Sequence, residues 1–171
     1  MLTWSSREGA PLIRAVTSTD AAAIASIYNH YVEQTVITFE ETPVSAAVIA
    51  QRIEAVTAGY PWFVDERDGV VVGYSYATRW HERCSYRLSV ETTVYVDARR
   101  HRRGAGTALY AALLDALRSR GYHAAVGGIA LPNPASVALH EKLGFRKVAH
   151  FVEIGRKFDR WIDVGYWQLI L

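Results

Sequence analysis

Residues 96–110, VDARRHRRGAGTALY, set four arginines and a histidine just ahead of a Gly-x-Gly and a helix-forming run. A strand that feeds such a turn and then a helix aims several backbone N–H groups outward, and the helix dipole adds positive charge there. Glycine at 104 and 106 lets an anion approach main chain that a Cβ would shield. The chemistry on offer is phosphate binding; a tight turn beside a solvated basic patch is the competing reading. Glu91 lies within RLSVETTVYV (87–96) on a face shared with Thr93 and Tyr95. An unpaired carboxylate is expensive to bury there and suits a general base, whereas a half-exposed strand would carry it as a surface residue. His140 follows Val137 and precedes Leu143 at helical spacing, on the core side of its helix, as a proton carrier or as a histidine satisfied by hydrogen bonds. Arg83 and Tyr86 stand just before the Glu91 face: a guanidinium grips a carboxylate with two bonds and a phenol orients it, unless both merely decorate a solvated hairpin tip. Arg79 and Lys157 are further cations near the same end. Cys84 beside Arg83 invites a covalent-nucleophile reading, but the other parts work without one and it reads as incidental.

Three ligand classes use a strand–glycine turn–helix for phosphate. A Walker-type loop needs a lysine after its last glycine, and none follows Gly106. A dinucleotide fingerprint needs a third glycine where this chain has Leu109. The third is the pyrophosphate of coenzyme A, whose turn reads Arg/Gln-x-x-Gly-x-Gly/Ala against His101-Arg102-Arg103-Gly104-Ala105-Gly106 here.

The elements that must hold these residues follow from periodicity. PLIRAVT (11–17) reads as a short strand, and Ile24, Ile27, Tyr28, Tyr31 and Val32 recur at helical spacing from about Thr19, with Thr17 to Thr19 as caps. Ser45 caps a second helix that runs to Ala58 and is stopped by Gly59. WFVDER and VVVGYSYATRW flank Asp68-Gly69 as a hairpin. In the strand 87–96, Leu88, Val90, Thr92, Val94 and Val96 point one way, and Arg87, Ser89, Glu91, Thr93 and Tyr95 the other. Ala108, Leu109, Ala112, Leu113, Ala116 and Leu117 form the stripe of a third helix ended by Gly121. HAAVGGIA is a buried strand, Asn133 and Pro134 open a short helix closed by LGF, and strands over 146–155 and 161–171 finish the chain. Hairpins mixed with crossovers imply an α/β (mixed α+β) fold whose sheet is mixed rather than doubly wound.

Half of the 171 residues are hydrophobic, enough for one domain over 11–171 behind a tail at 1–10. A net charge of +2 makes the basic cluster local, so no nucleic-acid partner is expected. The single cysteine excludes an intramolecular disulfide and a multi-cysteine metal site, and no metal is expected. Arg7 and Glu8 interrupt the apolar run a signal peptide needs, and no stretch suits a bilayer. A cytoplasmic protein with no membrane partner is the expectation.

TVYVDARRHRRGAGTAL followed by LPNPASVALHEKLGF, with YNHYVEQTVITFEETP before and WIDVGYW after, resembles the GNAT superfamily of acyl-CoA-dependent N-acyltransferases. Within it the chain is similar to the phosphinothricin and methionine sulfoximine acetyltransferases, over roughly residues 12–170. The resemblance implies a splayed mixed sheet of about seven strands flanked by about four helices, with acetyl-CoA in its cleft, and a homodimer. Arg102, Arg103, Gly104, Ala105, Gly106 and Thr107 would hold the pyrophosphate, while Val94, Tyr95, Val96, Asn133 and Ser136 would line the rest of the cofactor. The first turn position, glutamine or arginine in the family, is His101 here, which leaves Arg102 or Arg103 to compensate.

Acetyl transfer to an amine needs a base for the amine, stabilisation of the carbonyl oxygen and a proton for the thiolate. Neutralising an ammonium about two pKa units above ambient costs about 3 kcal/mol. The resemblance assigns Glu91 as that base. Many GNAT enzymes have a tyrosine at the position of His140 that protonates the sulfur of coenzyme A, and the phosphinothricin branch has histidine; His140 is then the acid for the thiolate or a partner to Glu91. Arg83, Tyr86, Phe39 and Thr93 would surround a small zwitterion such as phosphinothricin, methionine sulfoximine or methionine sulfone. An arginine-bearing hairpin disfavours polyamine or aminoglycoside substrates. Another amine, a protein N-terminus, or a non-catalytic acyl-CoA sensor are the alternatives, and a sensor would not need Glu91 and His140 together.

Overall fold

The computed structural model describes residues 12–100 and 104–171. Its first half holds β1 (Leu12–Ala15), α1 (Ala21–Gln34), α2 (Ala46–Thr57), β2 (Trp62–Arg67), β3 (Val70–Arg79) and β4 (Ser89–Val96). Its second half holds α3 (Ala105–Ser119), β5 (Ala124–Leu131), α4 (Pro134–Lys142), β6 (Arg146–Lys157) and β7 (Arg160–Ile170). The strands form one sheet in the order β1-β2-β3-β4-β5-β7-β6, and only β4 and β5 run parallel. Local chemistry explains most boundaries. Ser45 Oγ accepts the Val48 N–H, Asn133 Oδ1 accepts the Ser136 N–H, and Gly121 leaves α3 at φ +77°. The Asp68-Gly69 and Phe158-Asp159 turns take positive φ at both central residues, as two-residue hairpins with right-handed strand twist require.

The single parallel pair decides the architecture. Its register covers only Ser89↔Ala124, Val90↔Ala125 and Glu91↔Val126. Beyond that point β4 stays with β3 as far as Val96, and β5 stays with β7 as far as Leu131. The two central strands therefore part like a fork, with facing backbone edges that do not bond to each other. Thr92 Oγ1 spans the crotch with a 3.3 Å hydrogen bond to the Val126 carbonyl.

Each face of the sheet has its own core. Ile24 and Ile27 of α1 and Ile49 and Ile53 of α2 pack on Trp62, Val64 and Tyr74. On the other face Tyr110, Leu113, Leu114 and Leu117 of α3 pack on Ala77, Val90, Ala125 and Ile129. Burying each such leucine contributes about 1.5–3 kcal/mol.

Three expectations need adjustment. The buried stripe of α3 is Ala105, Leu109, Tyr110, Leu113, Leu114 and Leu117, so the alanines at 108, 112 and 116 lie on its flank. Large side chains fill the space above the sheet better than alanines do, and this rotates the helix. The strand expected from Arg87 begins at Ser89, because Cys84–Tyr86 form a 3-10 turn and Leu88 lies exposed. α1 begins at Ala21 after a 3-10 turn, where Asp20 accepts the Thr17 N–H and pairs with Arg14 at 2.8 Å.

Candidate active site

A cavity of about 430 Å³ occupies the fork. Its walls are β4 from Glu91 to Val96, β5 from Gly128 to Ala130, Asn133 with Ala135, Ser136, Leu139 and His140 of α4, Tyr110, Tyr31 and the loop residues Ile37 to Phe39.

Glu91 is half-buried at the crotch, and no described group forms a hydrogen bond or ion pair with its carboxylate. Burial alone pushes its pKa above the usual carboxylate range. An unpartnered carboxylate with a raised pKa, facing a cavity, is equipped to accept a proton.

His140 is fully engaged. Its Nδ1 lies 2.8 Å from the Ser136 carbonyl, which can only accept, so the ring carries its proton on Nδ1. Nε2 then accepts from the Tyr110 hydroxyl at 2.9 Å. Burial lowers the His140 pKa and raises that of the enclosed Tyr110 phenol, so both are neutral at physiological pH. Tyr110 also lies 3.4 Å from the Thr92 carbonyl, next to the crotch.

Two consecutive glycines make room on either side of β5, Gly127 for His140 and Gly128 for Glu91 and Tyr166. A Cβ at Gly127 would sit 2.4 Å from His140 Nε2, and one at Gly128 would sit 3.5 Å from Glu91 Oε1 and 3.2 Å from the Tyr166 ring. Consecutive strand residues face opposite sides of a sheet. Glu91 and His140 therefore flank β5 from opposite faces, and no hydrogen bond joins them. They share the cavity only through the gap between the strands.

At the other end, Gly104 caps α3 at φ +85°, a conformation that side chains resist. The Ala108 N–H bonds the Gly104 carbonyl at 2.9 Å, so the amides of Ala105, Gly106 and Thr107 have no acceptor within the helix. A Cβ at Gly106 would meet Leu139 of α4 at 3.1 Å, so the turn lies against the α4 side of the cleft. His101, Arg102 and Arg103 lie outside the described residues. Val94, Tyr95, Val96, Asn133 and Ser136 line the cavity, and Tyr31 fixes the strand end by donating to the Val96 carbonyl.

On the amine side, Phe39 and Thr93 also line the cavity, but Arg83 and Tyr86 do not. Both are exposed on the loop before β4, where Tyr86 packs on His81. Arg79 pairs with Glu82 at 2.8 Å, and Lys157 is buried with its ammonium on the Thr38 carbonyl. Sequence reasoning missed Tyr110, Gly127 and Gly128. A phenol within an apolar helical stripe and a double glycine within a buried strand were the available signals.

The parting strands, the open helix amides and the carboxylate at the crotch define an acyltransferase-type cleft. The family model described as an acetyltransferase (GNAT) domain matches residues 13–165. A phosphinothricin N-acetyltransferase from Streptomyces viridochromogenes is 40% identical, over 91% of this chain and 85% of its own length. An L-methionine sulfoximine/L-methionine sulfone acetyltransferase from Salmonella typhimurium is 38% identical, over 93% of this chain and 94% of its own. A solved Salmonella typhimurium structure, described as a putative acetyltransferase with its cofactor acetyl-CoA, superposes with a TM-score of 0.91 at 38% identity, covering 95% of both chains. The chain belongs to the GNAT acetyltransferase family.

Proposed function

We propose that this protein moves the acetyl group of acetyl-CoA directly onto the amine of a small amino-acid-like substrate of the phosphinothricin, methionine sulfoximine or methionine sulfone type. The observation that carries this reading is the unpartnered Glu91 carboxylate on one face of the fork with the His140–Tyr110 pair on the other. Transfer between two substrates that enter from opposite sides needs that separation.

The residues present suit the cofactor. The amides of Ala105, Gly106 and Thr107, helped by Arg102 and Arg103, would hold the diphosphate, and Gly104 would keep the approach clear. Val94, Tyr95, Val96, Asn133 and Ser136 would line the pantetheine arm. Acetyl-CoA supplies an acetyl group activated as a thioester.

Glu91 takes the amine proton on its carboxylate, directly or through water; its raised pKa brings it closer to that of the ammonium it must deprotonate. His140 serves the leaving thiolate. In that role Nδ1–H stays on the Ser136 carbonyl and Nε2 must first take up a second proton, at which point Tyr110 turns from donor to acceptor, as a rotating hydroxyl permits. A direct partnership of His140 with Glu91 is less well supported, since they lie on opposite faces of β5. Phe39 and Thr93 wall the amine end, and Arg83 and Tyr86 on the neighbouring loop would receive the substrate carboxylate.

We read residues 11–171 as one catalytic domain, working in the cytoplasm as a homodimer, with resistance to amino-acid-like inhibitors as its role; residues 1–10 lie outside the described residues. The exposed apolar side chains of edge strand β6, Val148, Val152 and Ile154, suit a subunit interface. The test is thiol release from acetyl-CoA with methionine sulfoximine, methionine sulfone, phosphinothricin and ordinary amino acids. Turnover led by one of the first three supports the reading, and no release with any of them overturns it.

A further inference from the structure

Lys157 is 2% exposed at the end of β6, and no carboxylate forms an ion pair with it among the described residues. Its Nζ donates one 2.8 Å hydrogen bond to the Thr38 carbonyl, across 119 residues of sequence. Beside that carbonyl the ammonium faces the Phe158 ring at 5.0 Å; burying a charge on so few partners is still expensive, and methionine or leucine would fill the same space without that cost. Burial accordingly pulls the Lys157 pKa below its ordinary value, with Glu41 acting against the shift. Such a lysine is explained by what it holds.

Thr38 and Phe39 are part of the cavity wall, where Thr38 lies beside Tyr28 and Tyr95 on the face of β4 that also carries Glu91 and Thr93. The Thr38 hydroxyl is bonded to the Tyr28 hydroxyl of α1 at 2.8 Å, which ties the loop from one side. From the other side, β6 meets it twice. Lys157 takes the Thr38 carbonyl, and the Phe39 ring lies on the backbone of Gly155, where a Cβ would come within 2.4 Å of two ring carbons. The Lys157 ammonium is thereby committed to the loop, and the residue does not line the cavity.

We propose that Lys157 is a positioning residue that, with Gly155, fixes the Thr38–Phe39 wall of the amine pocket and so governs amine affinity without touching the substrate. The proposal rests on reading this end of the cleft as the amine side. It also accounts for a glycine and a lysine at the end of an otherwise exposed edge strand, since the two contacts on Thr38 and Phe39 need one of each.

The test uses the full-length enzyme and the variants Lys157→Met and Gly155→Ala, read in two ways. In steady-state assays with acetyl-CoA and methionine sulfone, both variants should raise the amine KM by about tenfold or more, leaving kcat and the acetyl-CoA KM within about threefold, because a misplaced wall affects only the group it orients. In amide hydrogen exchange, Lys157→Met should speed exchange across residues 36–41 by about tenfold while residues 91–96 keep their protection. Unchanged exchange across 36–41 overturns the clamp. An unchanged amine KM, or equal losses for both substrates, overturns its role in amine affinity. If the wild type turns over no amine, the functional reading fails on its own, and the exchange result still decides whether Lys157 holds the loop.

Discussion

An alanine at Gly127 would put its Cβ 2.4 Å from Nε2 and 2.8 Å from Cδ2 of His140, where carbon contacts settle near about 3.5–4.0 Å. The imidazole must then retreat by about 1 Å, and it has no slack. Nδ1 is held by the Ser136 carbonyl at 2.8 Å and Nε2 by Tyr110 at 2.9 Å, with Phe145 packed edge-on to the ring. Overpacking costs about 1–3 kcal/mol and a stretched hydrogen bond about 1 kcal/mol. A stability loss of about 2–4 kcal/mol would lower Tm by about 4–16 °C for a domain of this size. A displacement of about 1 Å at a reacting group can lower turnover by about 10²-fold. Thiol release should therefore show kcat for Gly127→Ala reduced by one to two orders of magnitude, with the acetyl-CoA KM changed far less. If the loss acts through His140, adding Gly127→Ala to His140→Ala should lower kcat little further. A kcat within about threefold of wild type, or full additivity in the double variant, would refute this account of the two glycines.

Glu91→Gln should lose about 10²–10⁴-fold in kcat while acetyl-CoA still protects the fold against heat. The same variant should be more stable than wild type at neutral pH. The folded-state pKa of Glu91 is raised by burial, so the native protein holds its proton longer than the unfolded chain and loses stability as pH rises through the folded pKa. Melting curves should show the advantage of the variant above that pKa and its disappearance below the ordinary value of 4.5; equal melting at all pH values would contradict a buried, unpaired carboxylate. Tyr110→Phe removes the donor to His140 Nε2 and should reduce kcat by about tenfold while shifting the His140-dependent limb of the pH–rate profile, whereas an unmoved limb would separate the phenol from the chemistry. Arg83→Ala should raise the amine KM with kcat nearly unchanged, and a fall in kcat alone would remove the arginine from substrate binding.

Much of this molecule is legible in its sequence because much of it is fixed locally. The alternation through SVETTVYV, the Asp68-Gly69 turn and the Asn133-Pro134 helix start each follow from a few neighbouring residues, and the structure places them as the periodicity implies. The splayed sheet is implied by the family resemblance but not by local patterning, since the fork depends on where β4 and β5 stop pairing, and each strand continues its own pattern past Glu91 and Val126. The alanines at 108, 112 and 116 fit a helical stripe as well as the true one does, which hid Tyr110. Lys157 read as a cation open to a ligand, because a sequence does not reveal that its partner is a carbonyl 119 residues away. Arg83 and Tyr86 lie close to Glu91 along the chain, but the 3-10 turn at Cys84–Tyr86 leaves them on an exposed loop outside the cavity wall.

The most direct measurement is a crystal structure of the protein with acetyl-CoA. The diphosphate should lie within hydrogen-bond range, about 2.7–3.2 Å, of the amides of Ala105 to Thr107, with the thioester threaded between β4 and β5 so that Glu91 and His140 face it from opposite sides. A coenzyme bound elsewhere, with the gap between those strands empty, would contradict the account.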